Sequence, residues 1–145
     1  MILLDTNVLS ELMKPTPNKQ VVFWLDKQSE WDLWTSSITL AEIFLGISLL
    51  NDGKKKTMLF ELAQQMFDED FKGRCLPFDD QAAVEYAVIV AKRTKIGRPV
   101  SVEDAQIASI SKTANLILAT RDIKNFDEID GLRLINPWNY QSTSR

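Results

Sequence analysis

Short apolar runs alternate with longer amphipathic stretches along this chain. Ile2-Leu3-Leu4 and Leu116-Ile117-Leu118-Ala119 are uninterrupted apolar runs, the pattern of strands buried on both faces. Leu33 to Ser37, Arg74 to Phe78 and Leu132 to Ile135 are further strand candidates, the last at an edge. Between them, apolar residues recur at helical spacing. A first helix is expected from Val8 to Met13, ended by Pro15 and Pro17. A second, around Asn18 to Gln28, carries Val21, Val22, Trp24 and Leu25 near one face. A third starts after Ser37 with Leu40, Ile43, Phe44, Ile47 and Leu50 in register, and Gly46 leaves room for another backbone. Beyond the Asn51-Asp52-Gly53 turn, Met58, Leu59, Leu62, Met66 and Phe67 mark a fourth. Asp79 to Lys95 reads as a long helix with Ala83, Tyr86, Ala87, Val90 and Ala91 inward, stopped by Gly97 and Pro99. Ser101 opens a last helix that runs to about Thr113 and closes at Asn115. No repeat or linker divides the chain, so residues 1–145 form one domain. Strands alternating with helices predict an α/β fold with a mainly parallel sheet.

In open parallel sheets, ligands bind beyond the carboxyl ends of the strands. Asp5 stands where the first buried run ends, and Asp122 where the late one ends. Two more acids lie near helix starts that can face the same edge: Glu42 after Thr39, and Asp104 after Ser101. Asp104 shares a helix face with Ile107, Ala108 and Ser111, a costly place for a charge that is neither paired nor metal-bound. Taken singly, each acid has a plain structural reading. Thr39 to Glu42 matches a capping box, Ser101 to Asp104 comes close to one, and aspartates after strands are common turn residues. Four acids on candidates for one edge make the cluster the stronger expectation. Crowded carboxylates repel and hold their protons, and a divalent cation removes that repulsion.

Composition narrows the chemistry. The chain has no histidine, which excludes a Ser-His-Asp or Cys-His triad and every imidazole metal ligand. Its net charge of -3 does not announce a nucleic-acid binder, so RNA would need a local basic patch or bound cations. The single cysteine, Cys75, forms no intrachain disulfide and reads as a small buried residue. No basic-then-apolar leader opens the chain and no run is long enough to span a bilayer, which fits a cytoplasmic protein. Among the basic residues, Arg93, Lys95, Arg98 and Arg121 lie nearest the acidic edge, and Arg121, beside Asp122, is the best candidate for a phosphate contact. The run Lys54-Lys55-Lys56 reads as solvated surface, with Asn51 or Asp52 capping the helix. The four tryptophans read as core or interface, and the Met58 and Phe67 stripe as core or dimer surface.

Three functions compete. The acids can bind metal for phosphodiester hydrolysis. Asp5 can act as a covalent nucleophile, as in haloacid-dehalogenase-like phosphatases, but that chemistry wants a second aspartate at position 7, which is Asn7. A binding protein that uses the acids as caps and turns is the third.

Leu3 to Glu11 (LLDTNVLSE), Ser37 to Ile43 (SITLAEI) with Leu45-Gly46, Asp104 to Ala108 (DAQIA), and Leu118 to Asp122 (LATRD) with Phe126 and Asn136-Pro137-Trp138 carry a resemblance. In this order and spacing they resemble the four motifs of PIN-domain ribonucleases of the VapC toxin family, most closely the FitB-like branch. The resemblance implies a PIN-like three-layer α/β sandwich, with a parallel sheet flanked by helices. It implies Asp5, Glu42, Asp104 and Asp122 as catalytic residues that bind Mg²⁺ or Mn²⁺. It implies a homodimeric endoribonuclease, neutralised by a small DNA-binding antitoxin whose C-terminal segment covers the active site. Thr6, Asn7 and Thr120 are candidates for orienting the carboxylates, and either Asn125 or Asp127 for joining them.

Overall fold

The two apolar runs become three-residue strands, β1 (Ile2–Leu4) and β4 (Ile117–Ala119), lying side by side in a computed structural model that describes residues 1–141. β2 (Leu33–Ser36), β3 (Cys75–Leu76) and β5 (Arg133–Ile135) complete a five-stranded sheet of order β3-β2-β1-β4-β5, parallel throughout. Successive side chains point to opposite faces. Ile2, Leu4 and Ala119 therefore enter one core with Val8, Leu9, Val21, Trp24, Ile43 and Ile47. Leu3 and Leu118 enter the other with Ile89, Ile107 and Ile110.

Helices cover both faces. On the first lie α1 (Thr6–Leu12), α2 (Lys19–Asp26), α3 (Ser37–Ser48) and α4 (Lys54–Gln65), the last running on into one π-helical turn, Met66–Asp70. On the second lie α5 (Asp80–Lys95) and α6 (Val102–Thr113). A single turn, α7 (Ile123–Phe126), follows β4. The α/β fold with a parallel sheet read from the pattern is the one observed, in the three-layer arrangement that the resemblance implies. The chain leaves β1 toward β2 on one side, and β4 occupies the other side. The crevice between the ends of β1 and β4 is thus the point where strand order reverses, the place where such sheets bind ligands.

Several local expectations change. α1 begins at Thr6 rather than Val8, because Asp5 serves as its cap and accepts from the Thr6 N–H. β3 is only two residues long because Pro77 cannot continue the ladder. On this edge strand Cys75 faces outward and is exposed, not buried. α5 turns a different face inward: Ala82, Ile89 and Arg93 are buried, whereas Ala83, Ala87 and Ala91 are exposed. Its apolar residues surround the helix, so packing against α6 selects the face and spacing does not. Gly46 has no neighbour where a Cβ would stand, so no backbone approaches it. Gly53 occupies the cap of α4, while Asp52 pairs with Lys56 at 3.1 Å. Met58 is exposed and Phe67 is buried, dividing their stripe between surface and core. Trp24 is core, whereas Trp31 lies outside at 68% exposure beneath the Arg74 guanidinium. Among the described residues no helix is long and apolar enough to cross a membrane.

Candidate active site

Asp5 is 4% exposed, yet it is the residue around which the crevice is built. Its Oδ1 accepts from the Thr6 N–H at 2.8 Å, and its Oδ2 accepts from Thr120 Oγ1 at 2.7 Å and Asn7 Nδ2 at 3.3 Å. These bonds favour the ionised form, but burial outweighs them and, with the nearby Asp104 and Glu42 charges, pushes the carboxyl up to about 6.

Each neighbour is held by an element the sequence places there. Thr6 Oγ1 donates to Glu42 Oε1 at 2.7 Å and lies 3.0 Å from Thr39 Oγ1. Glu42 is free for this because it does not belong to a capping box. Ser36 is the cap of α3, accepting from the Thr39 N–H, which leaves Glu42 inside the helix. On the other side of the crevice, Asn7 Nδ2 donates to Asp122 Oδ2 at 3.1 Å and Thr120 Oγ1 at 3.3 Å, while Asn7 Oδ1 accepts from the Arg121 N–H. One amide therefore spans the ends of β1 and β4 and ties Asp5 to Asp122. The cap of α6 is Ser101, which accepts from the Asp104 N–H. Burial is the main reason that the Asp104 carboxyl is raised, with Asp122 and Glu103 adding to it.

Between Asn125 and Asp127 the structure separates two roles. Asn125 Nδ2 reaches Asp104 Oδ2 at 3.4 Å. Asp127 turns away, its Oδ1 lying 2.8 Å from the Arg98 guanidinium. Arg98 also approaches Glu128, and Arg93 is buried among main-chain carbonyls, so neither faces the crevice. Arg121 does face it. It forms no ion pair among the described residues, and its guanidinium sits 5.3 Å from the centre of the Trp138 ring.

The result is an open cavity of about 410 Å³ lined by Asp5, Thr6, Asn7, Ser10, Glu11, Lys14, Glu42, Asp104, Arg121, Asp122 and Trp138. All four acids of the constellation reach it, but they line its wall without collapsing together. Among the described residues no three acidic, histidine or cysteine side chains form a ready-made coordination cluster. The hydroxyls and amide between them account for that spacing. Ser10, Glu11 and Lys14 were not singled out individually in the sequence. Their signal is the spacing of 7, 10, 11 and 14, one face of the helix that Asp5 caps and of the residues just beyond its end. Glu11 accepts from Lys14 Nζ at 2.9 Å and from the Asn18 N–H at 3.0 Å, and these bonds lower its carboxyl below the usual range.

Comparison with known proteins identifies the family and the fold. The family model described as PIN domain matches residues 2–132. Toxin FitB of Neisseria gonorrhoeae is 44% identical over 139 residues, covering 96% of this chain and 99% of that protein. VapC ribonuclease Y4jK of Sinorhizobium fredii is 38% identical, covering 95% and 98%. Among solved structures, a chain from the structure of FitAB bound to an IR36 DNA fragment superposes with a TM-score of 0.90 at 42% identity, over 99% of this chain and 100% of that one.

Proposed function

This chain belongs to the PIN domain family, and from that premise we propose that it is a divalent-metal-dependent endoribonuclease acting as the toxin of a type II toxin–antitoxin module. The observation that carries the reading is the charge of the crevice. Five carboxylates and two cations line it. An RNA backbone is itself a polyanion, and such a wall repels it until cations are bound. The donor set consists of oxygens alone, which suits Mg²⁺ or Mn²⁺ and not a soft metal. Asp5, Glu42, Asp104 and Asp122 would hold the ion or ions. Bound there, the metal supplies an acidified water for attack on a phosphodiester and neutralises charge on the departing oxygen.

The chain's own groups supply orientation. Thr120 and the Thr6 N–H fix both oxygens of Asp5, and Thr6 Oγ1 fixes Glu42. Asn7 keeps Asp122 beside Asp5. Arg121, which forms no direct ion pair among the described residues, meets an RNA phosphate at the rim, and Lys14, paired with Glu11, stands beside it. The relatives named above, a toxin, a ribonuclease and a FitAB assembly on DNA, support the same reading. The FitAB assembly supports an antitoxin partner; we propose further that this partner binds DNA and covers the crevice with its C-terminal segment, that the toxin is a homodimer, and that it acts in the cytoplasm.

The test is cleavage of RNA by the purified protein with Mg²⁺ or Mn²⁺, and expression in growing cells with sequencing of RNA ends. Cleavage should vanish with EDTA and fall by at least about a hundredfold in Asp5→Asn, as for loss of a preorganised charge in a dry site. Cleavage that persists in EDTA, or a fully active Asp5→Asn protein, rules the reading out.

A further inference from the structure

Arg93 is the only fully charged side chain in the interior of α5, at 4% exposure in the helix's last turn, and it has no carboxylate partner among the described residues. Its Nε donates to the Arg98 carbonyl at 2.7 Å, and its Nη1 donates to the carbonyls of Asn125 at 3.1 Å and Asp127 at 2.9 Å. These acceptors belong to two different segments. Arg98 lies three residues before Ser101, the cap of α6, whose first turn carries Asp104. Asn125 and Asp127 lie just after Asp122, in and beyond α7.

The α7 segment needs such a partner. A helix of four residues is too short to hold itself; the buried Phe126 ring anchors it to the second core, but its last carbonyls have no donor within the helix. The planar guanidinium fork satisfies two of them while holding the Gly97-Arg98 turn with its third donor. Buried carbonyls without a donor are costly, so this junction has one favourable arrangement. In that arrangement Asn125 Nδ2 faces Asp104 Oδ2.

We infer that Arg93 is a positioning residue for the metal site, locking the segment that carries Asp122 and Asn125 against the segment that carries Asp104. The inference rests on the nuclease reading above for the identity of the site, but concerns a residue outside the crevice. Arg93 touches neither substrate nor the acids. It acts through the distance between Asp104 and Asp122. Arg98 provides the contrast: its side chain crosses the same junction from the partly exposed side, by ion pairs with Asp127 and Glu128 and a contact to the Lys124 carbonyl, where water screens them.

The experiment uses the full chain. Arg93→Met, Arg93→Lys and Arg98→Ala are compared with the wild type for Mn²⁺ affinity by calorimetry and for kcat and KM on RNA. In Arg93→Met, Mn²⁺ affinity falls by about tenfold or more, the usual cost of losing a group that orients metal ligands. The kcat falls while KM for RNA holds. Arg93→Lys, with one point charge in place of the fork, recovers part of the loss, and Arg98→Ala stays near wild type. An Arg93→Met protein that melts lower but binds Mn²⁺ and turns over like wild type overturns the inference, because that is what a purely structural helix-end cation would do. Should Arg93→Met fail to fold, Asn125→Ala decides. Its effect on Mn²⁺ affinity is smaller in the Arg93→Lys background than in wild type, and additive effects overturn the inference. A wild type without metal-dependent cleavage sinks the nuclease reading instead, and the Mn²⁺ affinities still report on Arg93.

Discussion

A carboxylate that accepts three hydrogen bonds is ordinarily easy to ionise, yet Asp5 is pushed up to about 6. Burial costs this charge more than its donors return. An acid with a raised native pKa binds its proton more tightly in the fold than in the open chain. Stability of the metal-free protein therefore falls as pH climbs from near 4 to about 6 and then levels, with at most about 3 kcal/mol at stake for this group. Asp104 contributes in the same direction. Denaturant midpoints measured in EDTA across that range should show the slope, and Asp5→Asn should flatten it. Glu11, with its lowered carboxyl, acts the opposite way at the acid end, so the difference between wild type and Asp5→Asn decides: identical pH slopes contradict the site electrostatics. The residue scale was also where sequence reading was strongest. Asp5, Glu42, Asp104 and Asp122 were legible because each follows a strand end or a helix start. Arg93 reads as one of several cations near the acidic edge, and its burial is not legible, because nothing in its sequence context distinguishes a buried guanidinium from an exposed one.

Elements were legible where one physical signal dominated and illegible where two competed. The uninterrupted runs of β1 and β4 identified them, since only a doubly covered strand is apolar on both faces. The inward face of α5 was not legible, because alanines and valines surround it. α7 carries no periodic signal in four residues and is held by its buried Phe126 ring and by the Arg93 guanidinium. The start of α3 shows the competition clearly. Thr39 and Glu42 have capping-box spacing, but Ser36 takes the cap, and this frees Glu42 for Thr6. Ser36→Ala should then cost about 1 kcal/mol of stability and loosen Glu42. Chemical denaturation and Mn²⁺ titration of that variant check both parts. A loss of stability with unchanged Mn²⁺ affinity would show that the cap does not position Glu42.

For the whole molecule, the order of strands is the property a single sequence does not reveal, because equivalent apolar runs can neighbour one another in several ways. The observed order puts β1 between β2 and β4, and this brings residues 5, 42, 104 and 122 to one cavity. A cation bound across these elements stabilises only the assembled fold. Mn²⁺ at a hundred times its dissociation constant should raise stability by about 2.7 kcal/mol, visible as a higher melting temperature. Asp104→Ala should abolish that rise, and a metal-insensitive melting temperature in wild type would contradict a shared site.

The parallel pairing of β1 with β4 also sets an order of events during synthesis. The first acid of the crevice leaves the ribosome almost at once, but its second strand neighbour begins at Ile117. Until that late stretch emerges, Asp5 has neither the Thr120 hydroxyl nor Asp122 beside it. A growing chain thus has no assembled crevice for most of its length, and the acids come together only as translation nears its close.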